Sequence, residues 1–178
     1  MKKLLLPTLA VGVILFVWQF LSWAALNIHG AEQQYTPNQE AVLQVLSEQL
    51  EAGSYFLPQA APGSTADEQE AFMKEHAGKP WAIVHYREAF EVNMAAKLIR
   101  GFVIDLVAGF LLVWLLSQMA QADMKRAVLA SLAVGFMAYL SIPYLNSIWF
   151  EGNTLGHLVD AIVPWGLSGL FLGWWMNR

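Results

Sequence analysis

The sequence predicts an all-α integral membrane protein with four transmembrane helices and a small α-rich extracytoplasmic domain between the first and second of them. Of its 178 residues, 57% are hydrophobic and 13% are charged, against about 25% charged residues in an average soluble domain. The apolar residues gather in four runs, at 4–26, 98–119, 127–145 and 158–176. Each run is close to the roughly 20 residues that cross about 30 Å of hydrocarbon as a helix. Because the runs are continuous, they lack the alternating pattern of a membrane β-barrel.

The first run is predicted to form transmembrane helix 1 within residues 1–28, as an uncleaved signal-anchor. Lys2 and Lys3 precede an apolar stretch that is longer than the roughly 7–15 residues of a cleaved signal peptide. Basic residues before a span favour the cytoplasmic side of the membrane. The amino terminus is therefore expected in the cytoplasm.

Residues 29–94 hold most of the polar side chains and are predicted to form the extracytoplasmic domain. Capping patterns predict two short helices, at about 37–52 and 65–76. An aromatic and β-branched stretch at 81–86 predicts a strand, which is expected to pair with residues 54–58 as a short β-ribbon. A helix from about Glu88 is expected to continue without a break into the second span.

Residues 95–178 are predicted to form transmembrane helices 2–4, with a turn at 121–126 and a loop at 147–157. Lys125 and Arg126 lie in the turn, whereas the loop has no lysine or arginine. By the positive-inside rule the turn and both termini are cytoplasmic, and residues 29–94 are extracytoplasmic. The outer domain lacks an Asn-x-Ser/Thr sequon, which fits a bacterial source. With four spans, the expected location is the bacterial inner membrane, as a multi-pass protein.

Composition excludes several functional classes. The chain has no cysteine, so neither a thiol-dependent membrane oxidoreductase nor a four-span protein with a disulfide-clamped outer loop fits. The net charge of −4 argues against nucleic acid as a partner, because nucleic-acid binding needs a basic face.

Polar residues inside the spans are candidates for function, because an ionised side chain in the bilayer costs at least about 2.5–3.5 kcal/mol. Asp105 lies in the second span, and helical rise places Gln19, Tyr139 and Ser141 at a similar depth. These four residues are predicted to form an intramembrane polar layer. The layer is either a set of interhelical hydrogen bonds or a proton, ion or ligand site.

The outer boundary of the spans carries a second polar group. Arg100 is predicted to pair with Asp160, which offsets the cost of desolvating both charges. His157 lies three residues before Asp160 and therefore on the same helix face. His157, Asp160 and His85 are the candidate metal ligands, with His29 and His76 as further imidazoles, but their spacing is too weak a signal to predict a metal site or any other cofactor.

Small residues indicate where the third and fourth spans pack together. Ser131 and Gly135 form a stripe on the third span, and Gly169 and Gly173 form a small-xxx-small pattern on the fourth. We expect these positions to bring the two helices into close contact.

Three functional hypotheses follow, none supported by a catalytic or phosphate-binding motif. The first is a non-enzymatic accessory or scaffolding subunit of a larger membrane complex, with the lipid bilayer and other membrane proteins as its partners. The second is a small oligomeric transporter or proton-linked carrier that uses Asp105. The third is a membrane enzyme, or a metal or haem site, near His157 and Asp160, with His85 as a further acid or base.

Overall fold

Two compact units make up the chain in the computed structural model, which describes residues 2–119 and 123–178. The long-helix unit consists of Met1–Gln34 and Asn93–Arg178, and the small unit consists of Tyr35–Val92. Residues 29–34, expected in the extracytoplasmic domain, therefore belong with the long helices. The predicted turn at 121–126 begins outside the described residues.

The described part of the chain is mainly helical, with two short strands. The elements are α1 (Lys2–Phe20), α2 (Gln39–Gln49), β1 (Gly53–Leu57), α3 (Ala66–His76), β2 (Ala82–Tyr86), α4 (Met94–Ser117), α5 (Met124–Tyr139), α6 (Leu145–Phe150) and α7 (Leu155–Met176). A π-helical turn at Leu21–Ala25 extends α1, and another at Leu140–Tyr144 joins α5 to α6.

Four of the helical segments are long and apolar enough to cross a membrane, as the sequence predicts. They are Leu4–Ala25, Met94–Ser117, Met124–Phe150 and Leu155–Met176. The third is longer than expected because the helical path continues past Pro143 through the π-helical turn. Proline has no amide hydrogen, so a wider turn is one way for a helix to accommodate it.

Two pairs of helices build the long-helix unit, α1 with α4 and α5 with α7. Glycine lets α1 approach α4 closely, since a Cβ atom on Gly12 would lie 2.7 Å from Leu106 Cδ2 and one on Gly109 would lie 3.0 Å from the carbonyl oxygen of Thr8. The core between the pairs is formed by buried apolar side chains, namely Val11, Leu15, Leu112, Val113, Leu116, Ala127 and Leu172.

The small unit contains the predicted β-ribbon. β1 and β2 pair antiparallel, with Gly53 opposite Tyr86 and Leu57 opposite Ala82. The predicted capping box begins α3: the Thr65 hydroxyl accepts from the Glu68 amide, and the Glu68 carboxylate accepts from the Thr65 amide. Hydrogen bonds from the Thr65 backbone and side chain lower the pKa of Glu68.

The prediction that a helix runs from about Glu88 into the second span is wrong. Residues 87–93 are not helical, and α4 begins at Met94. The side chain of Asn93 accepts a hydrogen bond from the Ala96 amide at 3.1 Å, so Asn93 acts as the N-cap. A non-helical segment therefore connects β2 to α4.

Candidate functional site

A cluster of imidazole and carboxylate side chains lies where α1 ends and α7 begins. After the π-helical turn, the helical segment has ended at Asn27, which has a φ of 48°, a left-handed conformation that asparagine tolerates better than most residues. The Ile28 amide donates to the Ser22 carbonyl at 3.1 Å, and the Glu32 amide donates to the His29 carbonyl at 2.9 Å. This compact turn directs His29 and Glu32 back toward α7.

Carboxylate oxygens face both ring nitrogens of His29. Its Nδ1 lies 2.9 Å from Glu32 Oε1, and its Nε2 lies 2.9 Å from Asp160 Oδ2. The other oxygen of Glu32 lies 3.1 Å from His157 Nε2. Glu32 thus bridges two imidazoles, and His29 bridges two carboxylates.

Hydrogen bonds from α1 hold Asp160 in place. Trp18 Nε1 donates to Asp160 Oδ1 at 2.9 Å, and the Ser22 hydroxyl donates to the same oxygen at 2.6 Å. Ser22 is fully buried and the His29 side chain is 3% exposed. The cluster therefore joins the first and last long helices through polar contacts.

Tight packing fixes the orientation of the His29 ring. The ring stacks on Trp23 with a centroid separation of 3.9 Å and an interplanar angle of 4°. On the α7 side, a Cβ atom on Gly156 would lie 2.8 Å from His29 Nδ1 and 3.1 Å from Glu32 Oε1. Only glycine at position 156 leaves room for this arrangement.

An open cavity of about 420 Å³ adjoins the cluster. Glu32 and His157 contribute to its wall, together with polar residues of α6 and of the connection between α6 and α7, namely Asn146, Ser147, Asn153 and Thr154. His157 and Glu32 are 34% and 19% exposed, respectively. One side of the cluster is thus accessible to small polar molecules.

Two members of the expected intramembrane polar layer contact each other. Gln19 Nε2 donates to Asp105 Oδ1 at 2.8 Å. Tyr139 instead has its hydroxyl 2.9 Å from Thr154 Oγ1, and the Ser141 hydroxyl donates to the Met137 carbonyl. The layer therefore reduces to a Gln19–Asp105 pair, in which Asp105 Oδ2 is buried without a hydrogen-bond partner among the described residues.

The expected Arg100–Asp160 ion pair is absent from the described part of the chain. Asp160 accepts from Trp18 and Ser22 and contacts His29, whereas Arg100 lies on the exposed surface of α4. The pairing fails because the turn after α1 places an imidazole beside Asp160.

The small residues of the third and fourth spans lie in close contact. Ser131 is fully buried. A Cβ atom on Gly169 would lie 2.7 Å from Val128 Cα, and one on Gly173 would lie 2.9 Å from Met124 Cα. A Cβ atom on Gly135 would overlap the carbonyl oxygen of Ala161.

A second cavity, of about 870 Å³, lies within the small unit between α2 and the segment that includes β2. We call it the α2 groove. Leu43 and Leu46 of α2 line one side, and Tyr86 and Phe90 lie on the other. Charged side chains at its edge include Glu40, Arg87 and Glu88.

Comparison with protein-family models, with curated proteins and with solved structures gave no significant match. Function must therefore be inferred from the positions of the side chains.

The sequence predicts only part of this cluster of imidazole and carboxylate side chains. His157 and Asp160 are among the candidate residues and His29 is a further imidazole, whereas Glu32, Trp18 and Ser22 are not predicted. The spacing of His29 and Glu32, three residues apart, was a usable signal, because in a helical turn it places both side chains on one side. His85, the other metal candidate, belongs to the small unit, where its Nδ1 lies 2.9 Å from the Ser54 hydroxyl.

Proposed function

We propose that this protein is a multi-pass membrane protein that acts as an accessory subunit and binds a protein partner through its small unit. The observation that carries the proposal is the lack of a hydrophobic core in that unit. Among its residues, all of which the structure describes, only Tyr86 is buried. Small domains need a buried core or another stabilising contact, and a binding partner supplies one.

Large apolar side chains instead lie on the surface of the small unit. Phe90 is 92% exposed and Leu43 is 55% exposed, and both line the α2 groove. Val42, Val45, Met73 and Val92 are also exposed. Clustered exposed apolar groups are typical of interaction surfaces, and a groove of this kind suits an amphipathic or extended segment of another protein.

Charge favours a protein over a lipid surface as the partner. Residues 35–92 contain nine acidic and three basic residues, a net charge of −6. Anionic lipid headgroups attract basic segments and repel acidic ones. We therefore expect the partner to present an apolar strip flanked by lysine or arginine.

Membrane topology forms part of the same proposal. The four apolar helices cross the membrane, both termini face the cytoplasm and the small unit lies on the opposite face of a bacterial inner membrane. Support comes from the basic residues Lys125 and Arg126 in the first turn of α5, at the start of the third span, and from the positive-inside rule.

A photo-crosslinking amino acid at Leu43 is expected to give a discrete crosslinked protein product in cells, because Leu43 lines the α2 groove. The same amino acid at Asp67, on exposed α3, is the matched control and is expected to give no such product. The product should be lost when Phe90→Ser is added, and mass spectrometry identifies its second component. Labelling of lipid alone, or the same products from both positions, would contradict the proposal.

A second candidate function, a proton-linked carrier, is favoured by one observation. Asp105 is 3% exposed, and its Oδ2 has no hydrogen-bond partner among the described residues. Buried carboxyl groups in membrane helices frequently belong to proton pathways. Such a carrier requires Asp105 to exchange a proton during transport.

The carrier function predicts a proton flux in proteoliposomes that Asp105→Asn abolishes. Asparagine keeps the size of the side chain and the acceptor for Gln19, so the fold should persist while the titrating group is lost. A pH-sensitive dye inside the vesicles measures the flux. If wild-type vesicles are no more permeable than empty ones, Asp105 serves only as a hydrogen-bonding group between α1 and α4.

A further inference from the structure

We propose that His29, Glu32 and His157 bind a divalent transition-metal ion of the Zn²⁺ class, with Asp160 orienting the His29 ring. One donor atom from each of the three residues lies within 4.8 Å of the others. Two imidazoles and one carboxylate are a common donor set for zinc and for other first-row divalent ions.

The cluster has more contacts between ring nitrogens and carboxylate oxygens than neutral imidazoles have N–H groups, which favours a bound cation. A neutral imidazole has one N–H group, yet both ring nitrogens of His29 lie 2.9 Å from carboxylate oxygens. One of these contacts therefore has no hydrogen unless the ring is doubly protonated, one of the carboxyl groups carries a proton, or a cation joins the two groups. His157 places its Nε2 3.1 Å from the second oxygen of Glu32, so both imidazoles converge on the same carboxylate.

Charge balance agrees with a divalent ion. Glu32 and Asp160 together contribute two negative charges when ionised, and neutral imidazoles contribute none. A divalent cation brings the formal charge of the cluster to zero without protonating either ring. This matters because the His29 side chain is 3% exposed, and an unbalanced charge is costly in a buried setting.

The donor separations are close to those of a metal centre. Metal–ligand distances of about 2.0–2.2 Å in a tetrahedral site place neighbouring donors roughly 3.3 Å apart. His29 Nδ1 and Glu32 Oε1 are 2.9 Å apart, and His157 Nε2 and Glu32 Oε2 are 3.1 Å apart. These two pairs would have to separate by only a few tenths of an ångström, and one donor atom from each of the three residues lies within 4.8 Å of the other two.

Asp160 supplies the outer support that metal-bound histidines usually have. When Nε2 of His29 donates to Asp160 Oδ2, the lone pair of Nδ1 is directed at Glu32, where the ion would bind. A carboxylate behind a histidine fixes the tautomer and makes the nitrogen a better ligand. Trp18 and Ser22 in turn hold Asp160 through its other oxygen.

The open cavity provides a fourth position. Three protein ligands leave one site of a tetrahedral ion for water or a small anion. Glu32 and His157 both border the 420 Å³ cavity, whose wall also carries the side chains of Asn153 and Thr154. The ion is therefore of the exchangeable kind, accessible from the polar side of the cluster.

Zinc titration tests the proposal. The full-length chain is purified in detergent, stripped with a chelator and titrated with Zn²⁺ against a chromophoric competitor. We expect one ion per chain. His157→Ala and Glu32→Gln are each expected to weaken binding by more than tenfold, and Asp160→Asn by about ten- to a hundredfold, the usual effect of losing an outer-shell carboxylate.

His85→Ala is the matched control, because it removes an imidazole of the small unit and should leave Zn²⁺ affinity unchanged. Zn²⁺ should also raise the thermal unfolding midpoint of the wild type and of His85→Ala, but not of His157→Ala, because an ion that binds the folded state stabilises it. His157 is 34% exposed, so its variant is expected to fold. The proposal is overturned if the wild type binds Zn²⁺ no more tightly than His157→Ala, or if His85→Ala weakens binding equally.

Discussion

Asp160→Ala is expected to destabilise the long-helix unit by about 3 kcal/mol, because one substitution leaves several buried polar groups without a partner. Trp18 Nε1 and the Ser22 hydroxyl both donate to Asp160 Oδ1, and His29 Nε2 contacts Oδ2. Ser22 is fully buried, so water cannot readily replace the lost acceptor. Unfolding of the purified chain in mixed detergent micelles measures the change.

Two further variants separate this effect from a general loss of charge. Asp160→Asn keeps an acceptor oxygen for Trp18 and Ser22, so it should cost less than Asp160→Ala. Glu151→Ala removes an exposed carboxylate of the same unit and should change stability by less than about 0.5 kcal/mol. An Asp160→Ala chain as stable as the Glu151→Ala chain would show that the hydrogen bonds from α1 contribute little.

Gly135→Ala is expected to cost about 1–3 kcal/mol, the usual range for overpacking a tight interface. The added methyl group would overlap the carbonyl oxygen of Ala161 and lie 2.7 Å from Trp165 Cγ. Backbone atoms cannot move aside as the end of a flexible side chain can, so α5 and α7 must separate locally. The same micelle unfolding measurement detects the loss.

Gly166→Ala is the matched control for helix propensity. Its methyl group would lie 3.5 Å from Leu132 Cδ2, an ordinary contact. Because alanine favours a helix over glycine by about 1 kcal/mol, this variant should be neutral or slightly stabilising. Equal destabilisation by both substitutions would contradict the close approach of α5 and α7 at Gly135.

Much of the local structure could be predicted from the sequence alone. The four long apolar helices follow from uninterrupted apolar runs, since each is a property of adjacent residues. The capping box of Thr65 and Glu68 is also local, because its partners are three residues apart. The small-residue stripe of Ser131, Gly135, Gly169 and Gly173 predicted a close contact between two helices because only small side chains allow one.

Contacts between distant segments could not be predicted in the same way. Depth along a helix suggested which polar residues are level with one another, but not which way each one points around the helix axis. Gln19 and Asp105 face each other, whereas the similarly placed Tyr139 reaches Thr154 instead. The rotation of each helix about its own axis is set by side-chain packing along the whole helix. The position of a single residue in the sequence does not reveal that rotation.

The sequence by itself determined the apolar helices, the acidic small unit and the residues available for polar contacts. Only the tertiary structure decided that His29 and Asp160, which are 131 residues apart, contact each other. The physical reason is the turn that follows the left-handed Asn27 after α1 and carries His29, together with the glycine at position 156 that leaves room for the His29 ring. Neither feature changes the hydrophobic pattern, so similar depth in the spans predicted an Arg100–Asp160 pair where the fold places an imidazole–carboxylate cluster.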